Sequence, residues 1–310
     1  MIEKIAVLLL ALILDLVFGE PPNTWHPIAW LGRLISFETK TAPKTGKLRQ
    51  IGYGVVIVLV TLGILVTAIY FLLNRLIEFN TIAYIVIAAI LLKFSLSLRG
   101  LGGAVDSVKK ALAGDNLEQA RLNLRALVSR ETTGLNRSHV ISAAVESAAE
   151  NICDSFVAPV FYFFIFGVPG AIAYRIINTF DTMIGYHGQW EYPGKFAARL
   201  DDVANFIPAR LTALIIVTSA AVCRKNPAKA WHIMIRDHNK TESPNAGWTM
   251  SAVAGALEVQ LEKVGNYRLG DNRFPLSLDT IDASRHLVMV TAVLCCSIFI
   301  LAEVVYFVAI

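Results

Sequence analysis

Acidic side chains recur at every fourth position in one stretch of the chain, Glu146-Ser-Ala-Ala-Glu150-Asn-Ile-Cys-Asp154. On an α-helix this spacing places Glu146, Glu150 and Asp154 along one face. Three neighbouring carboxylates repel one another at neutral pH, and Mg²⁺, which prefers oxygen ligands, would offset that charge. The pattern therefore indicates a metal site, although a solvated polar helix face is the commoner origin of such spacing.

A second group mixes the side chains that a metal and a phosphate require. Asp201 and Asp202 are adjacent, and Arg199 and Arg210 flank them. Carboxylates on the metal and guanidinium groups on phosphate oxygens are the combination that a Mg²⁺–triphosphate site needs. A cluster of surface salt bridges would have the same composition.

Polar residues also interrupt the apolar segment Gly170–Tyr186. Arg175, Asn178 and Asp181 are spaced three residues apart and share one face of a predicted helix. Ionisable groups at membrane depth are costly and usually line a cavity. The face is predicted to be functional, to hold an internal Arg175–Asp181 pair, or to be a capped helix end.

Three more candidates lie in turns. His26 follows a Glu20-Pro-Pro elbow, which fits the wall of a polar pocket and a stiff interfacial turn equally well. Arg130 precedes an alanine-rich helix and can hold a phosphate, but ordinary capping by Ser138 is the simpler explanation. Asn245 lies in a Ser-Pro-Asn-Ala-Gly turn, which can present backbone N–H groups to an anion.

The composition places the chain among membrane proteins. Of its 310 residues, 55% are hydrophobic and 17% are charged, and the net charge of +4 gives no reason to expect a nucleic acid as partner. None of the four cysteines forms a C-x-x-C pair, so the sequence indicates neither a zinc site nor a disulfide framework. No P-loop or G-x-G-x-x-G string is present.

Apolar stretches define the elements that must position these groups. A membrane span needs about 20 apolar residues, and six candidates occur: Ile5–Phe18, Gly52–Leu73, Ile82–Leu98, Ile152–Val168, Val203–Cys223 and Leu287–Ile310. We therefore predict an all-α, polytopic membrane protein, a helical bundle forming one domain over 1–310. It carries a polar helical insertion at about 99–151, with a helical hairpin over Gly102–Val128, and a polar loop region at about 224–286.

Lysine and arginine residues predict the orientation. The loop Gly19–Ile51 and the region after Leu98 are basic, which places both in the cytoplasm. Between Ile152 and Cys223 the sequence allows two full crossings or one re-entrant piece. The segments Tyr192–Ala209 and Asp237–Trp248 are rich in proline and glycine and are predicted to be mostly loops.

Five strings occur here in one order, and together they resemble a known family: Gly19-Glu-Pro-Pro with His26-Pro, Glu146 to Asp154 with Ala158-Pro, Asn178-Thr-Phe-Asp181 with Gly185-Tyr, Ala198 to Arg210, and Ser243-Pro-Asn-Ala-Gly247. The family is the membrane-bound adenosylcobinamide-phosphate synthases of cobalamin biosynthesis. The resemblance runs from about Asp15 to Gly270. One departure is Arg130-Glu131-Thr132, where the family's pattern is of the Arg-Asp-Thr type.

The resemblance implies an ATP- and Mg²⁺-dependent ligase. Such an enzyme joins adenosylcobyric acid, a corrinoid, to 1-aminopropan-2-ol O-phosphate or a related amino-alcohol phosphate as an amide, giving adenosylcobinamide phosphate. An acyl phosphate is the simplest activated form of the carboxylate, and it must be shielded from water. The resemblance implies that the protein lies in the cell membrane, in contact with lipid, with its active site facing the cytoplasm. An association with other membrane proteins of the pathway is also allowed.

The resemblance also distributes roles among the candidate residues. We expect catalytic roles for Glu146, Glu150, Asp181 and His26; nucleotide or phosphate binding by Arg130, Arg199, Arg210, Asn178 and Asn245; and metal binding by Glu150, Asp154, Asp201 and Asp202. His238 is an alternative to His26 as the base that deprotonates the amine. The competing interpretations are a non-enzymatic membrane sensor or signalling relative, which the intact acidic motifs disfavour, and a transporter.

Overall fold

The computed structural model describes residues 2–186, 188 and 190–309, and this part of the chain is mostly helical. The first half contains α1 (Ile2–Phe18), α2 (Pro27–Lys40), α3 (Lys47–Phe79), α4 (Thr81–Lys93), α5 (Leu98–Ala113), α6 (Leu117–Leu124) and α7 (Arg137–Ile152). The second half contains α8 (Ala158–Ile184), α9 (Lys195–Ala204), α10 (Phe206–Val222), α11 (Pro227–Asp237), α12 (Ala246–Leu257) and α13 (Leu278–Ala309). A π-helical turn, Cys153–Val157, joins α7 to α8, and β1 (Leu261–Lys263) pairs with β2 (Tyr267–Leu269) in an antiparallel hairpin.

The chain divides into two compact units. Unit 1 comprises Met1–Ser97, Ala158–Ala204 and Ala302–Ile310. Unit 2 comprises Leu98–Val157 and Asn205–Leu301. Unit 2 therefore contains both polar regions that the sequence predicts, at about 99–151 and 224–286.

Unit 1 is built around α3 and α8. Residues Leu31 and Ile35 on the inner face of α2 pack against Val58 of α3 and Phe180 of α8, and all four are buried. Ala197 brings α9 into the same core. The apolar inner face of α2 packs against α8. This packing fixes the amino terminus of α2, and the turn that precedes it, within unit 1.

Unit 2 depends on close approaches of small residues. Helix α7 is rich in alanine and serine and is buried over most of its length, as is α12. At Gly255 of α12, an added Cβ would lie only 2.4 Å from the carbonyl oxygen of Lys229 in α11. The absence of a side chain at this position therefore lets α11 and α12 pack backbone to backbone.

Within the described residues, four helical stretches are long and apolar enough to cross a membrane: Lys47–Phe79, Thr81–Ala113 (α4 with α5), Arg137–Ile184 (α7 with α8) and Leu278–Ala309. The number rises to five if Lys195–Ala204 and Phe206–Val222 are counted together as one broken span. Many large apolar side chains on α3 and α13 are exposed, as expected for surfaces that face lipid. These findings confirm the prediction of an all-α polytopic membrane protein.

Several local predictions are confirmed and others are wrong. Helices α5 and α6 form the predicted hairpin, with Asn116 capping α6 through the backbone N–H of Gln119. Ser138 is not the N-cap of α7, because the side chain of Asn136 fills that position and accepts from the N–H of His139. The segment predicted as mostly loop over Tyr192–Ala209 contains α9 and the start of α10, and α9 has no apolar run longer than three residues that would have indicated it.

Candidate functional site

A buried carboxylate is the centre of the polar cluster in unit 2. The Glu146 side chain is only 4% exposed. Its Oε1 accepts a hydrogen bond from Ser142 Oγ at 2.6 Å, and its Oε2 accepts from Tyr267 Oη at 2.9 Å and from Arg130 Nη2 at 3.2 Å. A buried charge is costly unless it is paired and hydrogen-bonded, and here three donors, one of which is the cation Arg130, compensate it.

Two elements position these donors. Ser142 lies one turn before Glu146 on α7, so both side chains project from the same face. Tyr267 is on β2, and the backbone N–H of Glu262 on β1 donates to Ser142 Oγ at 2.7 Å. The hairpin is thus linked to both oxygens of Glu146. Tyr267 contacts Oε2 directly, and Glu262 reaches Oε1 through Ser142. Burial, and then the nearby Glu146 carboxylate, raise the pKa of Tyr267 well above its usual value, so its phenol remains a donor.

Arg130 retains donors that the protein does not use. Its loop is fixed by Thr132, which is fully buried and donates to the carbonyl oxygen of Arg121 at 3.0 Å. The Arg130 guanidinium contacts Glu146 through Nη2, while its Nε is buried without a hydrogen-bond partner among the described residues. A guanidinium presents its donors in a fork that matches phosphate oxygens. Arg130 can therefore hold an anion while remaining paired to Glu146.

A second cation in unit 2 is held between aromatic rings. The guanidinium carbon of Arg210 lies 3.6 Å from the ring centroid of Phe206 and 4.8 Å from that of Trp248. Its Nη1 donates to Asn245 Oδ1 at 3.2 Å. The structure thus brings together Arg210 and Asn245, which the sequence predicts for phosphate binding. Stacking restrains the guanidinium plane, so its orientation is set before a ligand binds.

The acidic face of α7 continues into the π-helical turn. Glu150 is half-buried on α7 and Asp154 is half-buried within Cys153–Val157. The π-helical turn is wider than an α-helical one, so the regular four-residue register predicted from the sequence ends at Cys153. Within the described ranges, no group of three or more His, Cys, Asp or Glu side chains is arranged to hold a metal ion.

Unit 1 contains the adjacent carboxylates Asp201 and Asp202. Asn178 Nδ2 approaches Asp201 Oδ1 at 3.5 Å, and Arg175 Nη1 approaches Asn178 Oδ1 at the same distance. Arg199 pairs with Asp202 at 3.3 Å. Mg²⁺ at nucleotide sites takes one or two protein carboxylates, with water and phosphate oxygens completing its shell. The oxygen donors of Asp201 and Asp202 fit that requirement, and the metal roles stay predictions.

Asp181 lies one turn beyond Asn178 on α8. An added Cβ on Gly185 would be 2.0 Å from Asp181 Oδ1, so this carboxylate folds over the bare backbone at the end of the helix. The sequence places Arg175, Asn178 and Asp181 on one helical face, and the structure confirms a helix over all three positions.

The predicted base His26 is engaged at both ring nitrogens. Its Nδ1 accepts from the backbone N–H of Ile28 at 3.1 Å and caps α2, so the ring proton is on Nε2. That nitrogen lies 2.7 Å from Glu20 Oε2, which also accepts from Lys93 Nζ at 2.9 Å. His26 would have to release one contact to accept a proton, and its catalytic role stays a prediction.

His238, the alternative base, is held differently. Its Nδ1 lies 3.0 Å from the carbonyl oxygen of Ile235 and therefore carries the proton. Its ring stacks against Trp248 at 4.0 Å between centroids. The lone pair of Nε2 makes no hydrogen bond within the described chain, which leaves this nitrogen able to accept a proton.

The Glu20 contacts predict a pH-dependent stability. Burial opposes ionisation, but hydrogen bonds from His26 and Lys93 and the Lys93 charge outweigh it and lower the pKa of Glu20 to about 2. A lowered folded-state pKa gives stability that is present above the unfolded pKa and lost as pH falls toward 2. We expect Glu20→Gln to lower the unfolding temperature in detergent at about pH 6, with a gap that narrows by about pH 3. A gap independent of pH would contradict this assignment.

A separate ion-pair network ties the β-hairpin to α11. Asp237 is fully buried, pairs with Arg236 and Lys240, and accepts from the backbone N–H of Gly270 at 2.8 Å. Burial opposes its ionisation, but these hydrogen bonds prevail and lower the pKa of Asp237 to about 2.

Next to this ion-pair network, an open cavity of about 570 Å³ is lined by residues that include Tyr267, Lys240, Lys263 and Arg268.

The predicted residues divide between the two units. Unit 1 contains His26, Asn178, Asp181, Arg199, Asp201 and Asp202, and unit 2 contains Arg130, Glu146, Glu150, Asp154, Arg210 and Asn245. Sequence reasoning missed Ser142, Tyr267, Lys93 and Trp248. The turn Val264-Gly-Asn266 is a hairpin signal that would have drawn attention to Tyr267, whereas Lys93 gives no local signal beyond a charge at the end of an apolar helix.

Comparisons with known proteins show which family the chain resembles. A family model described as CobD/Cbib protein matches residues 8–293. The cobalamin biosynthesis protein CobD of Dehalococcoides mccartyi is 51% identical over 305 residues, covering 98% of each chain. The probable cobalamin biosynthesis protein CobD of Methanothermobacter thermautotrophicus is 42% identical over 270 residues, covering 87% of this chain and 88% of its own.

A third relative, the probable cobalamin biosynthesis protein CobD of Methanocaldococcus jannaschii, is 37% identical over 295 residues, or 92% of this chain and 94% of its own. No solved structure matches the chain. The extent of the match confirms the resemblance drawn from the five sequence strings. The chain belongs to the CobD/Cbib protein family.

Proposed function

We propose that this membrane protein of cobalamin biosynthesis is an ATP-dependent amide ligase. Its substrates would be adenosylcobyric acid and 1-aminopropan-2-ol O-phosphate or a related amino-alcohol phosphate. The observation that carries the proposal is the family match over residues 8–293, which covers every candidate site residue. The contacts of those residues support it, because both units present carboxylates next to guanidinium groups.

The first chemical task is to activate a carboxylate. A carboxylate oxygen of the corrinoid attacks the terminal phosphorus of ATP, and ADP leaves. Arg130, with its unused donors, and Arg210, fixed between two rings, are suited to bind phosphate oxygens. Asp201 and Asp202, or Glu150 and Asp154, would hold Mg²⁺, which supplies charge neutralisation of the triphosphate when bound.

The second task is amide formation. The amine nitrogen attacks the acyl carbon, phosphate leaves, and the ammonium proton passes to a base. His238 Nε2 has a free lone pair among the described contacts, whereas His26 must first release one. The first task consumes ATP, which is cytoplasmic, and the basic loops Gly19–Ile51 and 99–137 favour a cytoplasmic site. Association with other membrane proteins of the pathway remains a prediction.

The purified protein in detergent tests the proposal directly. We expect ATP hydrolysis that requires both the corrinoid acid and the amino-alcohol phosphate, and one amide product, identified by its mass, for each ATP consumed. Omitting either substrate provides the control. Hydrolysis without the amide, or binding of the corrinoid with no ATP turnover, would instead favour a transporter or a sensor.

A further inference from the structure

Tyr267 and Arg130 meet at the same carboxylate oxygen. Both donate to Glu146 Oε2, at 2.9 Å and 3.2 Å respectively, while Ser142 donates to Oε1. An arginine facing a carboxylate alone tends to pair through two parallel N–H···O bonds. Here each oxygen already accepts from a hydroxyl group. Arg130 makes a single contact with Glu146, at the oxygen that Tyr267 also contacts, and Ser142 contacts the other oxygen.

The single contact leaves the rest of the guanidinium unused. Arg130 Nε is buried, and neither Nε nor Nη1 has an acceptor within the described part of the chain. Buried donors without partners are rare in native proteins and call for an explanation. An anionic ligand that accepts from these nitrogens provides one. The side chain is 23% exposed, so a ligand can reach it.

We infer that Tyr267 is a positioning residue for Arg130: by sharing Glu146 Oε2 with Arg130 Nη2, it fixes that oxygen, and with it the guanidinium, so that Nε is held ready for a phosphate group. The inference rests on the proposed function, in which Arg130 binds phosphate. The hairpin carries Tyr267 and is anchored independently at Ser142 and at Asp237. The phenol is therefore placed by a rigid element and not by Arg130 itself.

The test is a kinetic comparison with Tyr267→Phe. Losing a hydrogen bond to a charged group corresponds to about a tenfold change. We expect the KM of one phosphate-bearing substrate to rise about tenfold while kcat stays within about twofold. Measuring KM separately for ATP and for the amino-alcohol phosphate identifies which phosphate Arg130 holds. Val264→Ala, at the exposed tip of the same hairpin, is the control and should leave both values unchanged.

An Arg130→Gln background separates positioning from general stability. If Tyr267 acts through Arg130, adding Tyr267→Phe to Arg130→Gln raises KM no further. An equal rise in both backgrounds, or a loss of kcat with KM unchanged, would overturn the inference. Should the phenylalanine variant not fold, Tyr267→His retains a ring donor and should show a smaller rise in KM than Arg130→Gln, and an equal rise would also overturn the inference.

These results also distinguish the inference from the proposed function. Absence of any amide product from the unmodified protein refutes the ligase, and the inference with it. Amide formation with an unchanged KM in Tyr267→Phe refutes only the positioning role. Amide formation with an unchanged KM in Arg130→Gln removes Arg130 from phosphate binding, and the role of Tyr267 with it.

Discussion

Replacing Gly270 by alanine should destabilise the protein by about 2–5 kcal/mol, combining backbone strain with overpacking. Gly270 has a φ of +83°, and an added Cβ would lie 2.3 Å from the carbonyl oxygen of Val259 and 2.9 Å from Ala254 Cβ. Its backbone N–H also donates to the buried Asp237. Any shift that relieves the clash therefore disturbs that bond. Denaturant unfolding in mixed micelles measures the loss.

Gly265 offers a matched control on the same hairpin. Its φ is +78°, but an added Cβ would meet nothing within 4 Å. Gly265→Ala should therefore cost only the backbone strain, about 1–2 kcal/mol. If the two variants lose the same stability, the close approach at Gly270 contributes nothing and the prediction is wrong.

Asp201→Asn should reduce amide formation about 100- to 1,000-fold. A metal ligand that stabilises developing charge contributes several kcal/mol, and each 1.4 kcal/mol corresponds to a tenfold change in rate. Asparagine keeps an oxygen that can accept from Asn178 but removes the charge that a cation requires. We therefore expect the unfolding temperature to change little while turnover falls. Raising the Mg²⁺ concentration should restore part of the activity.

Asp282→Asn provides the charge-matched control for this experiment. Asp282 is about half-exposed and pairs with Lys109 at 2.6 Å, and it is outside the candidate site. Its replacement should leave turnover within about twofold, since surface ion pairs contribute about 0–1 kcal/mol. Undiminished turnover in Asp201→Asn would remove Asp201 from the site, and a loss that Mg²⁺ does not relieve would assign it another role.

The sequence predicts the helical architecture well, because apolar runs of span length and helical periodicity are local signals. The hairpin of α5 and α6 and the helical face of Asn178 and Asp181 follow from spacing alone. Caps are harder to predict: Asn136 and Ser138 both suit an N-cap, and only the backbone conformation selects Asn136.

The polar cluster could be predicted only in part. Glu146 and Arg130 stand out in the sequence, but one donor that completes the cluster, Tyr267, comes from 121 residues downstream of Glu146. A contact of such separation has no signature in the local pattern. Short strands such as β1 and β2, of three residues each, also lack a periodicity long enough to detect.

The break within α8 has a consequence for the lipid-facing part of the molecule. Gly167 has φ 68° and ψ −164°, and Pro169 follows it, so the segment consists of two shorter helices. The break lies inside the long helical stretch Arg137–Ile184, which is one of the candidate spans. Backbone groups freed at such a break need protein or water as partners, because lipid tails provide none. Hydropathy alone indicates one uninterrupted apolar helix here, but the backbone is broken at Gly167, so part of this candidate span must be shielded from lipid at the break.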